Sequence, residues 1–353
     1  MSEQHYFLGA NSPSGFYGYF QKAYGNDWRV WLLKGGPGSG KSTLLRRAAQ
    51  LAGGEWEYVH CSSDPKSLDA VLHPEKKLML ADATSPHAME ARLPGCVEQL
   101  VDLGEGFDVQ ALRGQTTQAA GLAARNAALH RQAVHWLAAA AQVQSVRLQQ
   151  AAPHCDAAGI RRLAAEWLAD GWPQQSTPGE ERLRGLCAVT PDGVLFYGQT
   201  VAAVADTVYV LQDDWGAAAP RLLAELRRQL LERGYLVTVC RCSLFPESKL
   251  EHLLLPRQRV AFVTSNAAHR FTAAAGHEVD LRSVYGAAPA SPQRLQQLLR
   301  QENALLAEAC ACMQQAREVH DALEQCYRPA MRFAWADQKA EQLGSQLRQL
   351  LAG

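Results

Sequence analysis

The chain has 353 residues, with 35 basic and 35 acidic side chains, so its net charge is zero. At about 150 residues per domain that length fits two cores, and 47% hydrophobic against 20% charged residues excludes a disordered chain. A balanced charge gives no overall field to attract nucleic acid or an anionic membrane, so neither is expected as a partner.

No apolar run approaches the roughly 18 residues of a membrane span. Met1–Ser14 lacks the pattern of a secretory leader. Nine cysteines occur without C-x-x-C spacing, which predicts reduced thiols in a cytoplasmic protein.

In chain order, the first strong element is a short apolar run, Val30–Leu33, read as a buried strand. Directly after it comes Gly35-Gly36-Pro37-Gly38-Ser39-Gly40-Lys41-Ser42-Thr43, a complete G-x-x-x-x-G-K-[ST] pattern. A helix over Lys41–Leu51 follows. This order suits a triphosphate. Glycines let backbone N–H groups close on phosphate oxygens, and the helix start adds its positive dipole end. In that role Lys41 reaches the β- and γ-phosphates and Ser42 offers its hydroxyl to Mg²⁺. The pattern identifies nucleotide binding and leaves the reaction open.

A second strand, Trp56–His60, leads into His60-Cys61-Ser62-Ser63-Asp64-Pro65, with Asp69 soon after. This segment falls at the carboxyl end of the sheet, where ligands of open α/β sheets bind. Asp64 is either a base or the cap of an Asx-turn before Pro65; Cys61 and Asp69 are further candidates for positioning substrate or water. A third strand, Leu78–Ala81, ends at Asp82, the expected second Mg²⁺ ligand. Ala83 follows in place of a water-polarising Glu. Thr84 and His87 lie within reach of a γ-phosphate, although His87 also fits a turn histidine bonded to backbone. Helices are then expected over Leu112–Gln150 and Ala157–Leu168, and a Pro- and Gly-bearing connector over 171–185.

The chain then repeats. A shift of 178 residues places Leu8, Ala10, Pro13 and Gly15 on Leu186, Ala188, Pro191 and Gly193. The same shift places Val30, Leu33, Gly38, Leu44 and Leu45 on Val208, Leu211, Gly216, Leu222 and Leu223. His87 meets His269 after four extra residues. Strands over Tyr235–Cys240 and Val260–Val263 and helices over Arg221–Leu231, Pro292–Tyr327 and Ala334–Leu351 complete the second half. The loop does not survive the repeat. Gly35 and Gly36 fall on Asp213 and Asp214, and Gly40, Lys41 and Ser42 fall on Ala218, Ala219 and Pro220. Thr264 stands near the place of Asp82. One nucleotide per chain is therefore expected, with Arg221 or Arg241 of the second half considered as a phosphate contact.

At these residues the chain resembles a bacterial family of tandem P-loop ATPases found in Firmicutes. The resemblance rests on the opening Phe7-Leu8-Gly9-Ala10-Asn11-Ser12-Pro13-Ser14-Gly15-Phe16 and the loop Lys34–Thr43. It also rests on His60–Pro65 and on Asp82 followed by Thr84-Ser85-Pro86-His87. It covers nearly the whole chain and implies two P-loop domains with helical additions, and nucleotide binding. It implies no substrate or pathway. The second loop departs from it, where another Gly-Lys-Ser is expected.

The sequence thus predicts an α/β protein of two tandem P-loop NTPase domains, each a parallel sheet flanked by helices, with appended helical hairpins. Residues 1–170 form the active domain with its helical insertion, 171–185 the linker and 186–353 the altered domain. The expected ligands are ATP and Mg²⁺, held by Gly35–Thr43, Ser42 and Asp82. Lys41, Asp82, Thr84, His87 and Asp64 are the candidates for chemistry. Slow hydrolysis, phosphoryl transfer to a small molecule, and nucleotide sensing without turnover are the three readings. The hairpins offer a surface for a protein partner.

Overall fold

The apolar runs become strands and the periodic segments become helices, in the same order twice. In the computed structural model, which describes residues 3–273 and 276–353, the first half opens with β1 (Gln4–Tyr6), β2 (Gly9–Ser12), β3 (Gly15–Gly18) and β4 (Arg29–Lys34). It continues with α1 (Lys41–Ala52), β5 (Glu57–His60), β6 (Leu68–His73), β7 (Leu78–Asp82) and β8 (Glu98–Asp102). Three helices close it: α2 (Val109–Arg113), α3 (Thr116–Ala151) and α4 (Ala157–Trp167). The second half runs through β9 (Glu180–Arg184), β10 (Cys187–Thr190), β11 (Gly193–Phe196), α5 (Gly198–Val204) and β12 (Thr207–Gln212). Next come α6 (Ala218–Glu232), β13 (Leu236–Arg241), β14 (Leu250–Leu255), β15 (Val260–Ser265) and β16 (Gly276–Asp280). The chain ends in α7 (Pro292–Tyr327) and α8 (Phe333–Ala352).

Each half builds one six-stranded sheet, ordered β1-β5-β6-β7-β4-β8 and β9-β13-β14-β15-β12-β16. The expected all-parallel sheets need one correction each. β6 runs antiparallel to β5 and β7, and β14 runs antiparallel to β13 and β15, while the other neighbours are parallel. The cause is connection length. A short turn joins β6 to β7 and another joins β14 to β15, and such turns cannot bring a strand back parallel. Lys77 and Arg259 take up the strain at matched places, with φ of 55° and 57°. Neither β6 nor β14 is among the strands predicted from the sequence, and β1, β8, β9 and β16 are likewise additional.

The segment read as a linker is shorter than expected. Glu180–Arg184 is strand β9, paired from Glu180↔Leu236 to Arg184↔Cys240. Only residues 171–179 connect the halves.

The helical hairpins are exchanged. α1 buries Leu44, Leu45, Ala48 and Ala49 against Trp31, Leu33 and Leu80 of the first sheet, and the same core contains Ala336, Ala340, Leu343 and Leu347 of α8. Reciprocally, Ile160 and Ala164 of α4 join Leu211, Leu222 and Leu226 in the core of the second sheet. Between them α3 and α7, each 36 residues, pack along one another through Leu137, Ala140, Leu306, Ala309 and Met313. Each sheet therefore owes part of its apolar cover to the other half, at about 1.5–3 kcal/mol for each large side chain buried. Among the described residues no helix is long and apolar enough to cross a membrane.

Candidate functional site

Residues Gly35–Gly40 connect β4 to α1 at the carboxyl end of the first sheet. The loop turns at Gly38 and Gly40, with φ of 67° and 87°, a region closed to most side chains. Ser39 is buried and Thr43 exposed. Lys41 folds back over the loop, donating to Gly35 O at 2.8 Å and Gly36 O at 3.0 Å, with Asp82 Oδ2 at 3.6 Å. Its side chain is mostly buried, so it is less of a surface residue than the sequence suggests. Ser42 Oγ accepts the Leu68 N–H at 2.9 Å, which ties the start of α1 to β6.

Asp82 ends β7 beside Lys41. Its Oδ1 accepts from Thr84 N at 2.9 Å and Thr84 Oγ1 at 2.5 Å, so Thr84 orients the carboxylate. His87 lies underneath, stacked on Phe20 at 4.9 Å, with Nε2 3.8 Å from both Asp69 Oδ1 and Asp82 Oδ1. The turn-histidine alternative is not what the fold shows. Both His87 ring nitrogens and Asp69 Oδ2 are buried with no hydrogen-bond partner among the described residues. Burial pushes the Asp69 carboxyl up to about 6. Buried carboxyl and imidazole atoms without a hydrogen-bond partner, close to a lysine, mark a candidate functional site.

Asp64 is elsewhere in role. Its Oδ2 accepts from Ser67 Oγ at 2.5 Å and its O accepts from Ser67 N at 2.9 Å, which is the turn reading. His60 Nδ1 donates to Pro65 O (2.7 Å), which leaves Nε2 to accept from His5 Nδ1 (2.9 Å), and burial lowers the ring to about 4. Asp69, not Asp64, is the carboxylate beside Asp82.

The second loop shows what the backbone of the first can hold. Asp213 Oδ2 accepts from Ala218 N at 2.9 Å and Ala219 N at 2.8 Å, and Oδ1 accepts from Gly216 N at 2.9 Å. Tyr285 Oη donates to Oδ1 at 2.9 Å. Under the 178-residue shift these three amides are those of Gly38, Gly40 and Lys41. In the first half, the Gly40 and Lys41 amides have no acceptor among the described residues, and Gly38 faces the Glu324 carboxylate. The second loop is thus filled by its own carboxylate. The sequence puts the negative charge of Asp213 and Asp214 where phosphate oxygens would sit, and of the two it is Asp213 that occupies the cradle.

Neither second-half arginine considered earlier lies at the first loop. Arg221 donates to Ala217 O at 2.6 Å, and Arg241 donates to Glu247 O.

One other cluster carries metal-ligand donor types: buried Cys187, His252 and His269, with ligand atoms within 4.8 Å of one another. Thr264 N donates to His252 Nδ1 at 3.2 Å, so the ring proton sits on Nε2, 3.5 Å from Cys187 Sγ. A metal-bound neutral imidazole does the reverse and donates through its second nitrogen. Cys187 and His252 thus bond to each other, while His269 Nε2 donates to Thr264 O at 3.1 Å. No family model, curated protein or solved structure matches the chain.

Proposed function

We propose that the loop Gly35–Thr43 binds the phosphates of a Mg²⁺–nucleoside triphosphate, and that the first half hydrolyses it slowly. The observation that carries this reading is the pair of loops. Three equivalent amides cradle an internal carboxylate in one half, and in the other half two of them have no acceptor among the described residues. A cradle shaped for an anion, with no anion of its own, takes one from solution.

The remaining residues fit that ligand. Lys41 bonds within its own loop, to the Gly35 and Gly36 carbonyls and Ser39 Oγ, and lies 3.6 Å from Asp82, partners that phosphate oxygens replace. Ser42 and Asp82 would hold Mg²⁺, which neutralises charge on the phosphates. Thr84 keeps Asp82 in place. Asp69, a buried carboxyl that desolvation pushes up to about 6, is a candidate to accept a proton from water, with His87 beside it. Ala83 after Asp82 agrees with slow turnover. No N-K-x-D guanine-reading motif occurs, which favours ATP. The resemblance to tandem P-loop ATPases points the same way. The second half is then a nucleotide-free partner. Nine free cysteines suit the cytoplasm.

The unpaired Asp69 Oδ2 also serves a second reading, phosphoryl transfer to a small hydroxyl compound. Calorimetric titration with Mg-ATP, followed by ADP release with and without a metabolite pool, tests both. Phosphate release without acceptor supports hydrolysis, and acceptor-dependent release supports transfer. No binding of Mg-ATP removes both.

A further inference from the structure

The tip of the C-terminal hairpin closes over the N-terminal loop. A Cβ at Gly36 would stand 3.1 Å from Tyr327 Cε1, and one at Gly38 would stand 2.8 Å from Arg328 Cγ and 3.1 Å from Glu324 O. Phe333 Cε1 comes within 3.9 Å of the same point at Gly40. Glu324 and Tyr327 end α7, Arg328 opens the turn that follows and Phe333 begins α8, so the second half lays this tip on the first half's loop.

Two charges sit at that tip. The Glu324 carboxyl is held below its ordinary range, first by His320, then by the Gly38 amide and Arg328. Arg328 is uncommitted. Its side chain is half exposed, its nearest acidic atom, Glu324 Oε2, is 3.8 Å away, and its guanidinium lies 5.8 Å from the Phe333 ring. Nearby arginines are already spent: Arg332 on Glu105 O and Gly106 O, Arg46 on Lys66 O, and Arg317 on Asp192. The carbonyl end of α7 also faces the loop. That end carries partial negative charge and disfavours phosphate unless a cation accompanies it.

The repeat supplies a control. The bridges Phe107↔Met331 and Cys155↔Tyr285 relate the two hairpin tips, so Met331 corresponds to Cys155. By that register Glu324, Tyr327 and Arg328 correspond to Leu148, Ala151 and Ala152. The charged residues occur only on the hairpin that covers the intact loop. A hairpin arginine does reach the second loop, but it is locked: Arg147 donates to Asp214 O at 2.7 Å and to Glu302 Oε2 at 3.0 Å.

Resting on the nucleotide reading above, we infer that Arg328 is the phosphate-contacting arginine supplied by the second half, with Glu324 its resting partner. Entering phosphates repel the Glu324 carboxylate and draw the guanidinium onto the loop. The hairpin tip thereby feels whether the terminal phosphate is present.

The test uses the full chain and five proteins: wild type, Arg328→Ala, Arg328→Lys, Glu324→Gln and Lys41→Ala. Calorimetry measures Mg-ADP with and without aluminium fluoride, which stands in for the terminal phosphate, and turnover is measured alongside. Arg328→Ala keeps Mg-ADP affinity and melting temperature, but loses at least about tenfold in fluoride-complex affinity and in turnover. Arg328→Lys falls between. Glu324→Gln tightens the fluoride complex. If Arg328→Ala matches wild type throughout, or weakens both ligands equally with a lower melting temperature, Arg328 has no such role. If wild type binds Mg-ADP and Lys41→Ala does not, that failure leaves the nucleotide reading standing. If wild type binds neither ligand, both readings fall.

Discussion

Phe7 and Gly185 bond to each other twice: Phe7 N donates to Gly185 O at 2.8 Å, and Gly185 N donates to Phe7 O at 2.8 Å. They are also repeat-mates, separated by the 178 positions that superpose the halves. The molecule's pseudo-twofold axis therefore passes between them, as in an isologous dimer interface. The same axis exchanges Arg332 N→Gly106 O (3.0 Å) with Asp156 N→Val284 O (2.8 Å). Backbone symmetry is kept while the chemistry is not, and the predictions below divide along that line.

Lys41→Ala is expected to lower Mg-ATP affinity at least about tenfold, or roughly 1.4 kcal/mol. The fold survives, because Lys41 bonds only to its own loop and approaches Asp82. Unchanged affinity by calorimetry would reject the loop as the binding site.

Asp82→Asn retains an oxygen for the Thr84 bonds and loses the charge for Mg²⁺. Turnover is expected to drop at least about tenfold, roughly 1.4 kcal/mol of barrier, with stability little changed. Equal rates at matched Mg²⁺ remove Asp82 from the metal site.

On the proposed reading, non-hydrolysable ATP is expected to saturate the chain at one equivalent in a calorimetric titration, because Asp213 fills the second cradle. Asp213→Ala strips an acceptor from three amides and Tyr285 and costs about 3 kcal/mol in urea unfolding. Sulfate restores more stability to the variant than to wild type by refilling the cradle. Equal sulfate responses would show that the amides do not form an anion site.

Acid destabilises the fold through buried imidazoles. Burial lowers His60 to about 4 and His252 to about 3, against an unfolded value near 6.5. Between those values the unfolded chain binds more protons, so stability is lost as pH falls from about 6.5 towards 4. Asp69, raised to about 6, opposes this: its contribution falls as pH rises from about 4 to 6. Two histidines outweigh one carboxyl. The urea midpoint should drop between pH 7 and pH 5, and less so in His252→Gln. A flat midpoint would contradict the assignment.

Leu347→Ala, at a fully buried α8 position, should cost about 3 kcal/mol and destabilise the first sheet, although Leu347 lies in the second half. Hydrogen exchange decides: faster exchange confined to the second sheet would argue against the exchanged hairpins.

The sequence made the local elements readable and left the long-range ones unread. Val30–Leu33, the glycine pattern and Leu78–Asp82 carry their signal within a few residues, and they appear close to where expected. Leu68–His73 was missed because its apolar run is short and adjoins a polar turn. Asp69, on that strand, lies against His87 only because β6 pairs with β7. Tyr327 and Arg328 lie nearly 300 positions after Gly36 and Gly38. Nothing local marks a helix end as a neighbour of a distant loop; that contact follows from the exchange of hairpins. Asp213 was visible as a change of charge, but its inward turn onto the amides depends on backbone geometry.

The exchanged hairpins also bear on how such a chain can evolve. It has the geometry of a swapped homodimer joined end to end by nine residues, 171–179. In a symmetric dimer every substitution strikes both sites at once. Fusion frees one copy to diverge alone, as Ala219, Thr264 and Asp213 stand at or near the places of Lys41, Asp82 and Gly35. It cannot be discarded, however, because its last helix is part of the other copy's core. Retention of the second half therefore needs no second activity to explain it: deleting it would unroof the sheet on which the first half's loop is mounted.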